Sequence, residues 1–160
     1  MTFKLKKNDN ALDFEVNAII NMVDIKKIKL SDYKGRKIVL YFYPKDLTPG
    51  CNLEAENFRD NFKKFQENNI IIIGVSIDSI KRHIQFADKK SLPFILVSDE
   101  DKKVVNDYGV WQLKKFMGRE YMGIVRTTFL IDENFKIHEI ITKVKVKDHS
   151  SQIFDSFGIN

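Results

Sequence analysis

Ile38-Val39-Leu40-Tyr41-Phe42-Tyr43, followed by Pro44-Lys45-Asp46-Leu47-Thr48-Pro49-Gly50-Cys51 and continued to Phe65, decides the fold. Six consecutive apolar, β-prone residues suit a strand buried on both faces. Pro44 ends that strand. Thr48 then offers a side-chain oxygen as a helix N-cap, and Pro49 suits the first helical position, where its missing N–H costs nothing. Ala55, Phe58, Phe62 and Phe65 recur at helical spacing, while Glu54, Arg59, Asp60, Lys63 and Lys64 take other faces. That pattern predicts an amphipathic helix with Cys51 in its first turn. Free backbone N–H groups and the positive end of the macrodipole lie there, and a thiol so placed is biased towards the nucleophilic thiolate. A helix end contributes only about 0.3–1 kcal/mol to a neighbouring charge. A strongly activated thiol therefore needs a cation that folds back onto it.

On the N-terminal side, Phe14-Glu15-Val16 and the apolar positions from Ile25 to Leu30 predict two short strands or a hairpin, and 31–37 a polar turn. After the helix, Glu67-Asn68-Asn69 breaks the pattern, and the continuous apolar run 70–77 predicts a second buried strand. Strand, helix, strand at this length implies a right-handed parallel crossover. Asp78 or Ser79 caps the next helix, which turns Ile80, Ile84 and Ala87 inward and stops near Ser91, before Pro93. Residues 94–97 predict a third strand and 101–108 a short helix closed by Gly109. The segment 110–121 reads as irregular, and 123–131 as one continuous fourth strand. Asp132-Glu133-Asn134 predicts a hairpin turn into an alternating strand over 136–146, and 150–157 a last helix burying Ile153, Phe154 and Phe157. No repeat or linker interrupts the chain. The expected fold is α/β, one domain over residues 1–160, with a central mixed β-sheet flanked by helices that resembles the thioredoxin fold.

Composition narrows the function classes. No apolar run approaches the ~20 residues needed to span a bilayer, and Met1-Thr2-Phe3-Lys4-Leu5-Lys6-Lys7 lacks a hydrophobic signal core, so the cytoplasm is expected. One cysteine rules out an intramolecular disulfide and a multi-cysteine metal site. His83, His138 and His149 lie far apart without ligand spacing, so neither a metal nor another cofactor is expected. The formal charge of +5 comes from scattered lysines. Lys143-Val144-Lys145-Val146-Lys147 reads as the solvated face of a strand rather than a nucleic-acid surface.

Arg126 is the anomaly. Strand alternation puts it on the face of Ile124, Thr128 and Leu130, which should be buried. A guanidinium cannot shed its charge there, so it needs an anionic partner or a polar opening. A structural ion pair and a functional cation stand level on spacing alone. The requirement of Cys51 for a cation favours the second.

The segment Pro44-Lys45-Asp46-Leu47-Thr48-Pro49-Gly50-Cys51 resembles the peroxiredoxin pattern Pro-x-x-x-Thr-x-x-Cys. Tyr41-Phe42-Tyr43, Ser98-Asp99-Glu100, Gly109-Val110-Trp111 and Arg126 with Phe129-Leu130-Ile131-Asp132 extend the likeness, in order, to the peroxiredoxin Q or bacterioferritin comigratory protein branch. The resemblance implies that Cys51 is the peroxidatic cysteine and that Thr48 hydrogen-bonds peroxide and sulfur. It further implies that Pro44 shields the site and that Arg126 stabilises the thiolate and the developing charge on the peroxide oxygens. Glu54 matches a frequent acidic position, where it would orient an arginine. The physics is preorganised electrostatics acting on a small substrate. Thr48 and Pro44 also have plain structural jobs, as cap and strand terminator. Trp111 reads as packing.

One departure from the family matters. Many members of the branch carry a resolving cysteine five residues after the first, and here that position is Glu56. The sulfenic acid would then be resolved by an external thiol: thioredoxin, glutaredoxin or a low-molecular-weight thiol. The expectation is a one-cysteine peroxidase, monomeric or weakly dimeric, that reduces hydrogen peroxide and small organic hydroperoxides. Its rivals are a peroxide sensor and a non-catalytic thioredoxin-like interaction protein.

Overall fold

In the computed structural model, which describes residues 4–160, β3 (Lys37–Phe42) and β4 (Ile70–Ser76) run parallel in the interior of a mixed sheet. Among the described residues the sheet has seven strands. Their order is β2 (Asp24–Lys29), β1 (Glu15–Ile20), β5 (Ile95–Ser98), β4, β3, β8 (Thr127–Ile131) and β9 (Ile137–Ile141). β5 is parallel to β4, whereas β1 is antiparallel to β5, β2 to β1, β8 to β3 and β9 to β8.

Successive strand residues point to opposite faces, and β3 sorts its side chains accordingly. Ile38, Leu40 and Phe42 join Ile73, Val75, Phe129 and Ile131 in one apolar cluster. Val39, Tyr41 and Tyr43 join Ile72 and Leu130 in the other. The second face is covered by α1 (Pro49–Asp60), α3 (Ile80–Lys90) and α5 (His149–Phe157), through residues such as Phe58, Phe86 and Phe154. The first face receives Val104 and Val105 of α4 (Lys103–Asp107). Cys51 belongs to the helix-covered face.

Several expectations need correction. The helix predicted to reach Phe65 breaks at Asn61, and α2 (Phe62–Glu67) follows. Asn61 turns its amide back to the Asn57 carbonyl at 2.8 Å, the competition with backbone that makes Asn a poor mid-helix residue. The supposedly irregular segment is a hairpin of β6 (Trp111–Phe116) and β7 (Arg119–Ile124), separate from the main sheet. Its two turn residues, Met117 and Gly118, have φ of +51° and +79°, the positive pair that a tight two-residue hairpin turn requires. A Met in place of the usual Asn hid that turn. The strand expected over 123–131 is broken: Ile124 ends β7, Thr127 begins β8, and Val125 and Arg126 bridge the two sheets. The strand expected to reach Val146 ends at Ile141, so the alternating lysines lie in a turn before α5, not on a strand face. In α3, Ser79 is the cap, its Oγ accepting the Arg82 N–H at 3.2 Å. The buried face of α3 centres on His83, Phe86 and Ala87, with Ile80 and Ile84 half-buried.

Gly74 of β4 sits opposite Tyr41 in the β3 register. A Cβ at Gly74 would lie 2.8 Å from the Tyr41 ring, which packs on Phe58 with centroids 4.8 Å apart. Gly74→Ala should therefore destabilise the fold by about 1–3 kcal/mol through overpacking. Urea denaturation showing no loss of stability would contradict this placement of Tyr41.

Candidate active site

Cys51 is the third residue of α1 and only 2% exposed. The loop that delivers it from β3 is pinned by a fully buried aspartate. Asp46 receives the Tyr43 hydroxyl at 2.5 Å on one oxygen and meets His83 Nδ1 at 2.5 Å on the other. Its N–H donates to Asp78 at 2.9 Å, and Arg82 donates to its carbonyl at 3.1 Å. A carboxylate met on both oxygens is far more rigid than a solvated loop, and rigidity is what a positioned nucleophile needs. Reading the sequence missed this anchor, because all its partners but Tyr43 lie more than thirty residues downstream. Asp46, Asp78 and His83 also bring ligand-type atoms within 4.8 Å of one another. Those atoms are already engaged: Asp46 with His83, and Asp78 with the Ser76 hydroxyl at 2.7 Å and Arg82 at 3.2 Å.

Thr48 occupies the cap position with extended backbone, φ −105° and ψ 153°, and Pro49 begins the helix. The expected side-chain cap does not form. The Thr48 hydroxyl donates instead to the Lys45 carbonyl at 2.8 Å, tightening the loop. Pro44 is half-buried where the strand gives way to that loop.

Arg126 leaves the β7–β8 connection and meets the start of α1. One guanidinium nitrogen, Nη2, donates to Cys51 Sγ at 3.2 Å, and the other, Nη1, donates to Glu54 Oε1 at 2.5 Å. Glu54 follows Cys51 by three residues, so both side chains share one face of the helix. The two readings of Arg126 are therefore not exclusive: the cation beside the sulfur is oriented by a structural ion pair. Gly50 completes the fit, since a Cβ there would press on Nη2 at 3.3 Å.

The electrostatics follow from burial. Glu54 is fully buried, which pushes its pKa up to about 7 against the opposing pull of Arg126. Its Oε2 has no hydrogen-bond partner among the described residues. Burial works against the Arg126 charge, but Glu54 and Cys51 more than restore it. Lys114 of β6 donates to the Ile124 carbonyl at 2.9 Å, and burial together with the Arg126 charge lowers its pKa. Burial and the charges of Glu54 and Cys51 keep the Tyr41 phenol protonated. His149, at the start of α5, bonds Thr128 Oγ1 at 2.7 Å and lies 3.8 Å from Glu54 Oε2. Its place beside Glu54 follows from the fold and not from its sequence spacing.

A mixed sheet of this order, with its one cysteine opening the helix after an interior strand, is the framework of the thioredoxin-like thiol enzymes. The AhpC/TSA family model matches residues 8–140. Peroxiredoxin Bcp of Bacillus subtilis is 54% identical over 125 residues, 78% of this chain and 80% of that protein. A cysteine-to-serine mutant of Xylella fastidiosa PrxQ superposes with a TM-score of 0.85 at 33% identity, covering 96% of both chains. The Xanthomonas campestris bacterioferritin comigratory protein, described for its alkyl peroxide reduction activity, gives 0.80 at 31% identity, covering 89% of this chain and 90% of that one. The chain belongs to the AhpC/TSA family, among the Bcp or PrxQ peroxiredoxins, and is a thiol-dependent peroxidase. No helix among the described residues is long and apolar enough to cross a membrane.

The raised pKa of Glu54 has a signed consequence. A carboxyl at 4.5 unfolded and about 7 folded stabilises the fold fully below 4.5, and that contribution is lost as pH rises through 7. Relative to wild type, Glu54→Gln should therefore gain about 3 kcal/mol between pH 4 and pH 8. Parallel stability–pH curves from denaturant titration would refute it.

Proposed function

We propose that Cys51 is the peroxidatic residue of a one-cysteine mechanism, with Arg126, Thr48 and Pro44 completing the site and Glu54 holding Arg126. The observation that carries this reading is the Arg126 N–H directed at Cys51 Sγ from 3.2 Å while Glu54 fixes the other arm of the guanidinium. The thiolate attacks one peroxide oxygen. An S–O bond forms as the O–O bond breaks, sulfur loses two electrons to the peroxide, and the leaving oxygen takes a proton to depart as water or alcohol. Arg126 meets the charge that moves from sulfur to oxygen, the preorganised stabilisation that dominates such reactions. Thr48, whose own hydrogen goes to Lys45, presents its hydroxyl oxygen in the same loop, and Pro44 limits access of water.

The position five residues after Cys51 is Glu56, which pairs with Lys90 at 3.6 Å. Resolution therefore falls to an outside thiol. That thiol attacks the sulfenic sulfur, releases water and leaves a mixed disulfide, and a second thiol frees Cys51. Thioredoxin, glutaredoxin and low-molecular-weight thiols all fit this chemistry. We assign the protein to the cytoplasm, where such thiols are kept reduced, and take the whole chain to act as one domain, monomeric or weakly dimeric. Hydrogen peroxide and small organic hydroperoxides are the substrates.

Stopped-flow mixing with peroxide tests the roles. Cys51→Ser should be inactive and Arg126→Ala slowed by roughly 10²–10³-fold, the range for losing one preorganised donor, while Thr48→Val, which removes an acceptor oxygen and the loop bond to Lys45, should also slow the reaction. Steady turnover with a thioredoxin system separates an enzyme from a sensor, which would consume one equivalent and stall. Slow resolution also exposes the sulfenic acid to further oxidation. Mass spectrometry after excess peroxide should show sulfinic acid on Cys51, and sulfenic acid alone would count against the one-cysteine scheme.

A further inference from the structure

The β6–β7 hairpin holds most of the large apolar side chains that the fold leaves in water. Leu113, Phe116, Met117, Tyr121 and Met122 are five of the eight large hydrophobic residues exposed among the described residues, and Phe116 and Met117 are 65% and 86% exposed. A two-stranded hairpin with so little packed against it is marginal in water. Exposed apolar groups gathered on one projection mark a docking surface, where single ones scattered over a surface would not.

Strand alternation and register divide the hairpin into two faces. Lys114 stands opposite Tyr121 and Phe116 opposite Arg119, so these four share one face, while Leu113 and Met122 pair on the other. The first face leads to the reacting sulfur. Lys114 donates to the Ile124 carbonyl at 2.9 Å, two residues before Arg126, and its ammonium feels the charges of both Arg126 and Cys51. Gly123 leaves room for this, since a Cβ there would meet Lys114 Cδ at 3.1 Å and the Tyr121 ring at 3.4 Å. A strip therefore runs from Phe116 and Arg119, over Tyr121 and Lys114, to the guanidinium beside Cys51.

The charge of the strip selects its occupant. The hairpin bears three cations, Lys114, Lys115 and Arg119, against one carboxylate, Glu120, which Lys115 already faces at 3.8 Å. A second copy docked face to face would set these cations against their own images, on a chain of net charge +5. A partner with carboxylates around an apolar centre meets no such repulsion. A small thiol would leave the aromatic surface unused.

We propose that the Phe116–Tyr121 face of the hairpin docks the protein that reduces oxidised Cys51: a dithiol reductase whose reacting cysteine lies in an apolar surface rimmed by carboxylates. This rests on the reading of Cys51 as the peroxidatic residue of a one-cysteine enzyme. The reductase thiolate attacks the sulfenic sulfur, an S–S bond forms as the S–O bond breaks, and the departing hydroxide takes a proton to leave as water. The second thiol of the reductase then attacks its partner sulfur in the mixed disulfide and releases Cys51 reduced. Both electrons come from the reductase dithiol, which ends as a disulfide.

The test compares two reductants of the full-length protein during peroxide turnover: thioredoxin, kept reduced by its own reductase, and dithiothreitol, which needs no docking surface. Wild type should turn over faster, thiol for thiol, with thioredoxin. Phe116→Ser combined with Tyr121→Ser should lower kcat/KM for thioredoxin by about tenfold or more, the scale of losing aromatic anchors. Arg119→Glu should lower it too, and that loss should shrink as salt is raised, because a rim charge acts on encounter. Turnover with dithiothreitol and stopped-flow oxidation of Cys51 by peroxide should stay at the wild-type level in these variants. Leu113→Ser, on the opposite face, should match wild type throughout. Equal turnover with the two reductants in wild type, equal losses with both in the aromatic variant, or an equal effect from Leu113→Ser would overturn the proposal. So would sedimentation showing a wild-type dimer that the aromatic variant dissociates, which gives the face to a second copy. A wild type that peroxide oxidises, and that thioredoxin re-reduces as fast when the face is altered, refutes the docking alone. One that peroxide leaves unoxidised refutes the peroxidase reading.

Discussion

A single guanidinium, partly withdrawn from water and divided between a sulfur and a carboxyl group, is the constraint on which the site depends. Arg126 cannot lose its proton, so every group around it has to accommodate a permanent positive charge. Removing one partner of such a buried arrangement leaves a charge uncompensated, which costs far more than the pair contributes in net stability. Glu54 is therefore not a spectator on α1. Its bond to Nη1 fixes the plane of the guanidinium, and the fork geometry then presents Nη2 to Cys51. An arginine held by the sulfur alone would be free to swing towards solvent, on which its side chain still opens by 22%.

The fold brings these groups together through two junctions. The first is the turn from β3 into α1, rigid because Asp46 ties it to Tyr43 and His83 beneath and to Asp78 and Arg82 beside it. The second is the short gap between β7 and β8, where the chain leaves the hairpin and enters the main sheet. Arg126 sits in that gap because neither ladder claims it. Its backbone turns from one sheet to the other, and its side chain is sent across the helix start rather than into a strand face.

Those junctions also explain which features were legible in the sequence. The β3–α1 unit was readable because its signals are local and agree with one another: an apolar run, a Pro stop, Pro at the helix start, and apolar spacing of three and four. Cys51 and Arg126 followed from the physical demand of an activated thiol for a cation and of a buried cation for an anion, whereas Glu54 came from the family resemblance. The hairpin was not readable, since Met117 takes a positive φ that sequence assigns to Asn or Gly. The end of β9 was hidden by the alternation of Val and Lys, which imitates a strand where the chain in fact turns into α5. The Thr48 hydroxyl was assigned to the helix because capping is the commoner local solution, but the Lys45 carbonyl offered a competing acceptor three residues back. Asp46 and His149 each have one partner three residues away, but the others, His83 and Thr128 among them, are distant in sequence and no spacing rule reaches those.

The absence of a second cysteine gives this electrostatic arrangement a further consequence. Where a resolving cysteine lies five residues on, the helix has to open for the two sulfurs to meet. Here that position holds Glu56, paired with Lys90 of α3 across the helix surface. On the proposed resolution by an outside thiol, α1 need not melt, and its first turn can stay fixed around Cys51, Glu54 and Arg126. The rigidity has a cost. A sulfur only 2% exposed is accessible to a small peroxide far more readily than to a bulky thiol. On the one-cysteine mechanism proposed above, the same enclosure that aligns the first step would slow the second.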